Sequence, residues 1–323
     1  MEKSNKPIVE HIIDFLDYID VEKNLGEKTQ ITYHRLLKKF TDWLKAQKLE
    51  NLLPHELTPE HIWQYRVFLA RSHQNKKSAQ PLKKISQNYY LIALRALLNF
   101  FAQRDILSLP AEKIKLAKKK KDIKVKFLTL EQIEKLLLSP DTTTSTGLRD
   151  RAILETLFST GMRVAELVAL NKEQIKIPSS LEELEISIVG KGGRVRPVYL
   201  SARCLKWLKL YLDDREKNGY VQEKALFIRY KGPKAGSLRL TTRSVENIVK
   251  AYTIKAGLPV FTVPHTLRHS FATDLLTKGV DIRTVQEFLG HSDISTTQIY
   301  THVVSKHLKE VHRQFHSGSE IKE

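Results

Sequence analysis

Glu185-Ile186-Ser187-Ile188-Val189-Gly190-Lys191-Gly192-Gly193-Arg194-Val195-Arg196-Pro197-Val198-Tyr199-Leu200 is the stretch on which the fold turns. Its flanks, Glu185 to Val189 and Arg194 to Leu200, are short β-like runs, and Gly190-Lys191-Gly192-Gly193 between them is a glycine-rich hairpin turn. Around it the apolar residues recur at helical spacing. Upstream, Leu130 to Leu138 follows a capping Thr129, and Leu148 to Phe158 is read as an amphipathic helix that stops at Gly161. Downstream, a helix carries His265 and Arg268, a segment Ile282 to Leu289 ends at Gly290, and Val304, Leu308, Val311 and Phe315 form one face of a terminal helix. The second half is therefore expected to mix many helices with a small β-hairpin.

Further upstream the pattern is wholly helical. Leu36, Leu37, Phe40, Trp43 and Leu44 recur at three- and four-residue steps, and Ile8 to Ile19, Thr58 to Ala70 and Ser86 to Phe101 read alike, which predicts a small four-helix bundle. Between Leu107 and Lys126 this periodicity fails, Pro110 intervenes and lysines crowd the chain, Lys118, Lys119, Lys120 and Lys121 in succession. The expected division is a helical domain over 1–107, a lysine-rich linker over 108–126 and a second domain over 127–323. The fold class is mostly α with a small β-hairpin or sheet in the second domain.

The 323 residues carry 54 Lys and Arg against 36 Asp and Glu, a formal charge of +18, which favours a polyanionic partner such as nucleic acid. The single cysteine, Cys204, sits in an apolar run with Leu205, Trp207 and Leu208, so an intramolecular disulfide is impossible and packing is its expected role. No apolar stretch has the length of a signal core or a membrane span, so a soluble, cytoplasmic protein without membrane insertion is expected.

Residue types suited to phosphate chemistry gather in the second half. Arg163 opens the run Val164 to Leu170, where a guanidinium adds a fork to a helix end already favourable to anions; alone it could equally be an ion-pair partner of Glu166. His265 and Arg268 stand three apart and share a helix face. His265 and His269 also have the spacing of a zinc pair, but Thr266 occupies the place where a metalloprotease helix needs its glutamate, and no metal is expected. Lys191 lies on a glycine turn that lacks the spacing of a nucleotide-binding loop, so no nucleotide cofactor is expected; a lysine there could hand a proton to a departing oxygen. His291 follows Gly290, and Tyr300 comes nine residues later.

Taken in order, Thr160-Gly161-Met162-Arg163-Val164-Ala165-Glu166-Leu167, Gly190-Lys191-Gly192-Gly193-Arg194, His265-Thr266-Leu267-Arg268-His269-Ser270-Phe271-Ala272-Thr273, Leu289-Gly290-His291-Ser292 and Tyr300-Thr301-His302-Val303 resemble the motifs of tyrosine recombinases, and among them the Xer group. The resemblance covers the chain from Leu128 onward; in the first half it rests on the helical pattern and on Ser86 to Phe101. It implies an N-terminal core-binding helical bundle and a C-terminal catalytic domain around duplex DNA. By that resemblance Arg163 and Arg268 grip the scissile phosphate, His291 donates a hydrogen bond to it, Lys191 is the general acid and His265 assists proton transfer. Tyr300 is the nucleophile and Glu166 a supporting acid. The implied reaction is site-specific recombination through a 3′-phosphotyrosyl intermediate, in chromosome or plasmid dimer resolution or, alternatively, mobile-element integration.

The same resemblance implies no cofactor, paired inverted DNA sites, a tetrameric synapse, a terminal helix docked on a neighbouring protomer, and a related recombinase or cell-division regulator as a further partner. A typical integrase of the larger phage type carries an extra N-terminal arm-binding domain, for which Met1 to Pro7 is expected to leave no space. Asp274 and the basic stretch Arg229 to Arg243 depart from the Xer pattern and bear on partner and site choice. Lys83, Lys84, Gln87, Asn88 and Arg95 on the last bundle helix, with Lys118 to Lys121, are candidate DNA contacts. A non-catalytic DNA-binding regulator would share the basic surface but would not need the phosphate-handling set, and a type IB topoisomerase would share the chemistry without joining two sites.

Overall fold

A computed structural model describes residues 1–72, 81–117, 126–178, 180, 182–232 and 236–290, with Lys191 by its backbone only. The chain divides into two compact units, Met1–Lys121 and Asp122–Glu323.

The first unit is built from α1 (Ile8–Val21), α2 (Glu27–Ala46), α3 (Pro59–Arg71) and α4 (Lys84–Gln103). Each helix buries one stripe: Ile8, Ile12, Phe15 and Ile19 from α1, Leu37, Phe40, Trp43 and Leu44 from α2, Leu91, Leu94, Leu98 and Phe101 from α4. Helix α3 starts where its sequence says it should, with the Thr58 hydroxyl accepting from the His61 amide and Pro59 in the first turn. Phe40, Trp43 and Tyr65 close the centre, ring centroids 5.0 to 5.6 Å apart.

Two expectations need correction here. The stretch 108–117, read as the start of a linker, packs on this bundle: Ala111 and Ile114 are buried, and Leu109 and Leu116 lie against the same core. Its lysines mask an apolar spacing that is long enough to dock. Asn88, read as a DNA contact, is buried and holds that segment. Its Nδ2 donates to the Ala117 carbonyl (2.9 Å) and its Oδ1 accepts from the Ala117 amide (3.0 Å), which occupies both ends of the side chain. Lys118 to Lys121 lie outside the described residues.

The second unit contains α5 (Leu130–Leu138), α6 (Ser145–Thr160), α7 (Val164–Ala169), β1 (Glu183–Val189), β2 (Val195–Ser201), α8 (Ala202–Lys217), α9 (Thr242–Lys255), α10 (Pro264–Thr277) and α11 (Ile282–Leu289). The strands form an antiparallel pair in register Glu183↔Ser201 through Val189↔Val195. Alternation along β2 turns Arg196, Val198 and Leu200 to the core and Val195, Pro197 and Ser201 to solvent. Cys204 is fully buried at the start of α8, as its apolar neighbours predict.

Helix α6 is not amphipathic. Arg149, Asp150, Arg151 and Glu155 are buried beside Ile153, Leu154 and Leu157. What reads as a polar face is an internal network: Arg149 donates twice to Asp150 (2.8 and 2.6 Å), while Arg151 and Arg203 both pair with Glu155 (2.8 and 2.9 Å). A charge run buried this way must be neutralised in place, because water no longer solvates it. The helix ends at Gly161 in the left-handed region (φ 57°), and a Cβ there would come within 2.4 Å of the Phe271 ring. That close approach brings the chain leading to Arg163 against α10.

Candidate active site

Arg163 is the cap residue of α7, one position earlier than the first-turn placement expected from its motif. Glu166, one turn on, accepts the Arg163 amide at Oε2 (2.7 Å) and its Nη1 at Oε1 (3.0 Å). The Arg163 side chain keeps a third of its surface open. Glu166 is buried and is shared with a second guanidinium: Arg196 Nη1 and Nη2 donate to its two oxygens at 2.9 and 2.8 Å. Burial alone would raise the Glu166 pKa, but hydrogen bonds from Arg196 and the Arg163 amide and the Arg196 charge hold it below the usual carboxylate range.

Arg268, in the second turn of α10, is only 2% exposed. It bridges two helix ends, with Nη1 donating to the Gly161 carbonyl (2.7 Å) and Nη2 to the Leu289 carbonyl (2.5 Å). The end of α11 thereby becomes a meeting point for guanidiniums: Phe288 O accepts from Arg196 Nε (3.2 Å), Leu289 O from Arg268 and Gly290 O from Arg163 Nη2 (3.4 Å). The last carbonyls of a helix carry partial negative charge without intrahelical donors, so cations are favoured there. Gly290 closes α11 in the left-handed region (φ 61°).

His265 and Arg268 share α10, yet the histidine stands exposed at the helix start while the arginine is buried. Partial burial of the ring, then the charges of Arg268 and Arg163, lower the His265 pKa and favour its neutral imidazole form. His269 packs edge-on against it at 4.3 Å and is pushed down to about 4, first by burial, then by His265 and Arg268. Among the described residues no group of three or more His, Cys, Asp or Glu could hold a metal ion.

Arg163, Glu166, His265 and Arg268 are thus brought together. Lys191 has its backbone in the turn between β1 and β2, and its side chain is outside the described residues, as are His291, Tyr300 and the terminal segment 304–315. Lys83 and Lys84 are exposed at the start of α4, Arg95 is half-buried, and the Gln87 amide is engaged with the Leu82 carbonyl (2.8 Å). Arg196 was missed by the sequence reading. The signal was present in the alternation that puts it on the same face as Val198 and Leu200, since an arginine there must find an internal acceptor. An open groove between α5, α6 and α10 is lined by Ile133, Leu137, Glu155, Phe158, Arg203 and Phe271.

Comparison with known proteins decides the family. Residues 126–307 match the Phage integrase family, and residues 12–105 match the phage integrase N-terminal SAM-like domain. The chain belongs to the phage integrase family. It is 38% identical over 308 residues to Tyrosine recombinase XerD of Lacticaseibacillus casei, covering 94% of this chain and 98% of the relative. To Tyrosine recombinase XerD of Listeria monocytogenes it is 36% identical over 310 residues, with 94% and 98% covered. Among solved structures, the XerH site-specific recombinase in a pre-cleavage complex with its difH substrate has a TM-score of 0.71 at 25% identity, over 96% of this chain and 97% of that one. The activity is accordingly that of a DNA recombinase, of the Xer type of site-specific recombination. No described helix is long and apolar enough to cross a membrane.

Proposed function

We propose that this recombinase breaks one strand of duplex DNA with the Tyr300 phenol and rejoins it to another, with Arg163, Lys191, His265, Arg268 and His291 as the groups that make the step possible. The observation that carries this reading is the convergence of Arg163 and Arg268 on the adjoining carbonyls of Leu289 and Gly290, directly ahead of His291. A phosphate seated there meets two guanidiniums already aimed and held.

The Tyr300 oxygen bonds to phosphorus as the bond from phosphorus to the 5′-oxygen breaks. The phenolic proton passes to His265 or to a water it holds, consistent with its lowered pKa, and the leaving 5′-oxygen takes a proton from Lys191. Negative charge that builds on the nonbridging oxygens is met by Arg163, Arg268 and His291, each such donor being worth about 100- to 1000-fold in rate. Because the phosphotyrosine conserves the energy of the broken ester, a 5′-hydroxyl of another strand reverses the step without a nucleotide cofactor.

The first unit serves as the core-binding half, with Lys83, Lys84 and Arg95 on its last helix toward DNA. Paired inverted sites assemble four protomers, and the terminal helix of each occupies a neighbour's groove between α5, α6 and α10. The setting is the cytoplasm and nucleoid, and the role is chromosome or plasmid dimer resolution, the reading favoured by the XerD relatives over mobile-element integration. Trapping on a nicked duplex tests the chemistry: the wild-type chain forms a covalent protein–DNA adduct and Tyr300→Phe binds the same DNA without one. An adduct in that variant rejects the nucleophile.

A further inference from the structure

We propose that Arg196 is a positioning residue for this reaction, setting from behind both the guanidinium of Arg163 and the turn that carries Lys191. The proposal rests on the functional reading above and adds to it a residue on which the active groups depend.

The register of the hairpin forces the issue. Arg196 pairs with Ile188 on the inward face of the two strands, where only 9% of it remains exposed. A charge in that place must be paired, and the guanidinium uses its whole fork. Nη1 and Nη2 take the two oxygens of Glu166, and Nε takes the Phe288 carbonyl. One side chain on β2 thereby ties together α7 and the end of α11. Glu166 spends its remaining acceptor capacity on the amide and Nη1 of Arg163. The direction in which Arg163 points is therefore set by a carboxylate that Arg196 holds in place.

Two glycines extend the argument. A Cβ on Gly190 would lie 3.1 Å from Arg196 Nη1, and one on Gly290 would lie 2.8 Å from Arg196 Cδ. Gly190 has an extended backbone (φ −91°, ψ −168°) that any residue adopts, so close contact with Arg196, not conformation, is what asks for glycine there. Gly190 immediately precedes Lys191, and Gly290 immediately precedes His291. The backbone leading into each of these residues is pressed onto the same guanidinium. Arg215, fully buried, behaves differently: it donates to the carbonyls of Tyr220, Ala225 and Leu226 and so closes a local loop. Lysine cannot replace Arg196, because one ammonium lacks the planar fork that serves two carboxylate oxygens and a carbonyl at once.

The full-length chain on nicked duplex DNA provides the test, with the leaving 5′-oxygen present or replaced by sulfur, which departs without a proton. Wild type and Tyr300→Phe are run first. If wild type forms no adduct, the functional reading fails and Arg196 is not at issue. Given the adduct, Arg196→Lys is expected to keep its folding transition and DNA affinity while cleavage of ordinary DNA slows about 100-fold, the scale of a misplaced catalytic group. Sulfur should restore part of that loss, the part that belongs to the Lys191 turn. Unchanged cleavage, a loss equal for oxygen and sulfur, or a loss that follows the unfolded fraction each overturns the proposal. Gly190→Ala covers the case in which Arg196→Lys does not fold, since it keeps both partners of the Arg196–Glu166 pair and sets one methyl between the turn and the guanidinium, 3.1 Å from Nη1. It should slow cleavage with oxygen and spare it with sulfur; wild-type rates on both would sink the idea.

Discussion

The two units differ in what they bury beside their apolar cores. Among the described residues of the first, the core is aromatic and aliphatic, and only His11 and Asn88 are buried polar groups. The second buries Arg149, Asp150, Arg151, Glu155, Glu166, Arg196, Arg215 and Arg268 among its apolar side chains. On the proposed function the first unit only holds DNA and can keep its cations on a solvated surface, where they cost little. A unit that handles a developing charge needs cations whose positions are set beforehand, so it accepts the desolvation penalty and offsets it with carboxylates and helix-end carbonyls.

The sharpest way to break this contrast is Arg268→Ala. It should reduce adduct formation on nicked DNA by about 100- to 1000-fold, while an exposed cation of the first unit such as Lys83 changed to Ala leaves the cleavage step itself intact once DNA is saturating. Equal losses in a single-turnover cleavage assay would erase the distinction. Next in size is Glu155→Ala, which strands Arg151 without its buried partner and should cost the second unit about 3–5 kcal/mol. Its apolar counterpart, Leu94→Ala in the first unit, leaves a cavity and should cost about 2–5 kcal/mol. Urea unfolding at two salt concentrations separates them, because only the first involves charge.

Asn88→Ala should cost about 1–3 kcal/mol by leaving the Ala117 amide and carbonyl unpaired, and proteolysis near 117 should become faster while the salt dependence of DNA binding stays put. A changed salt slope with unchanged proteolysis would return Asn88 to the DNA surface. The last effect is one of pH. The folded-state pKa of His269 lies at about 4, below its unfolded 6.5, so the unfolded chain binds more protons between those values. Stability of the second unit therefore falls as pH drops from 6.5 toward 4, and the slope ends below that. His269→Gln should flatten this window in thermal melts taken across the range. The depressed Glu166 pKa acts in the same direction, its contribution being lost as pH falls below the usual carboxylate range.

Much of the architecture could be read in advance. Thr58, followed by Pro59, and Thr129 marked helix starts, Gly161 and Gly290 marked helix ends, and the glycine turn at 190–193 marked the hairpin, because capping and left-handed turns are local chemistry. What misled was also local. Charges on α6 looked like a solvent face, and Lys113 and Lys115 looked like part of a tether, since residue type signals polarity but not whether a partner waits across the interior. Arg163, Glu166, His265 and Arg268 were legible as a set through their motifs and their resemblance to a family.

Composition, periodicity and motif order were by themselves enough for a basic, two-part, largely helical chain with a phosphate-handling set in its second part. Only the tertiary structure decided that Arg268 and Arg163 meet at successive carbonyls of α11, that Asn88 clasps Ala117, and that Arg196 stands behind Glu166. Those contacts join segments far apart along the chain, and whether a buried charge is tolerated depends on which acceptor the fold delivers to it, a matter no local pattern encodes.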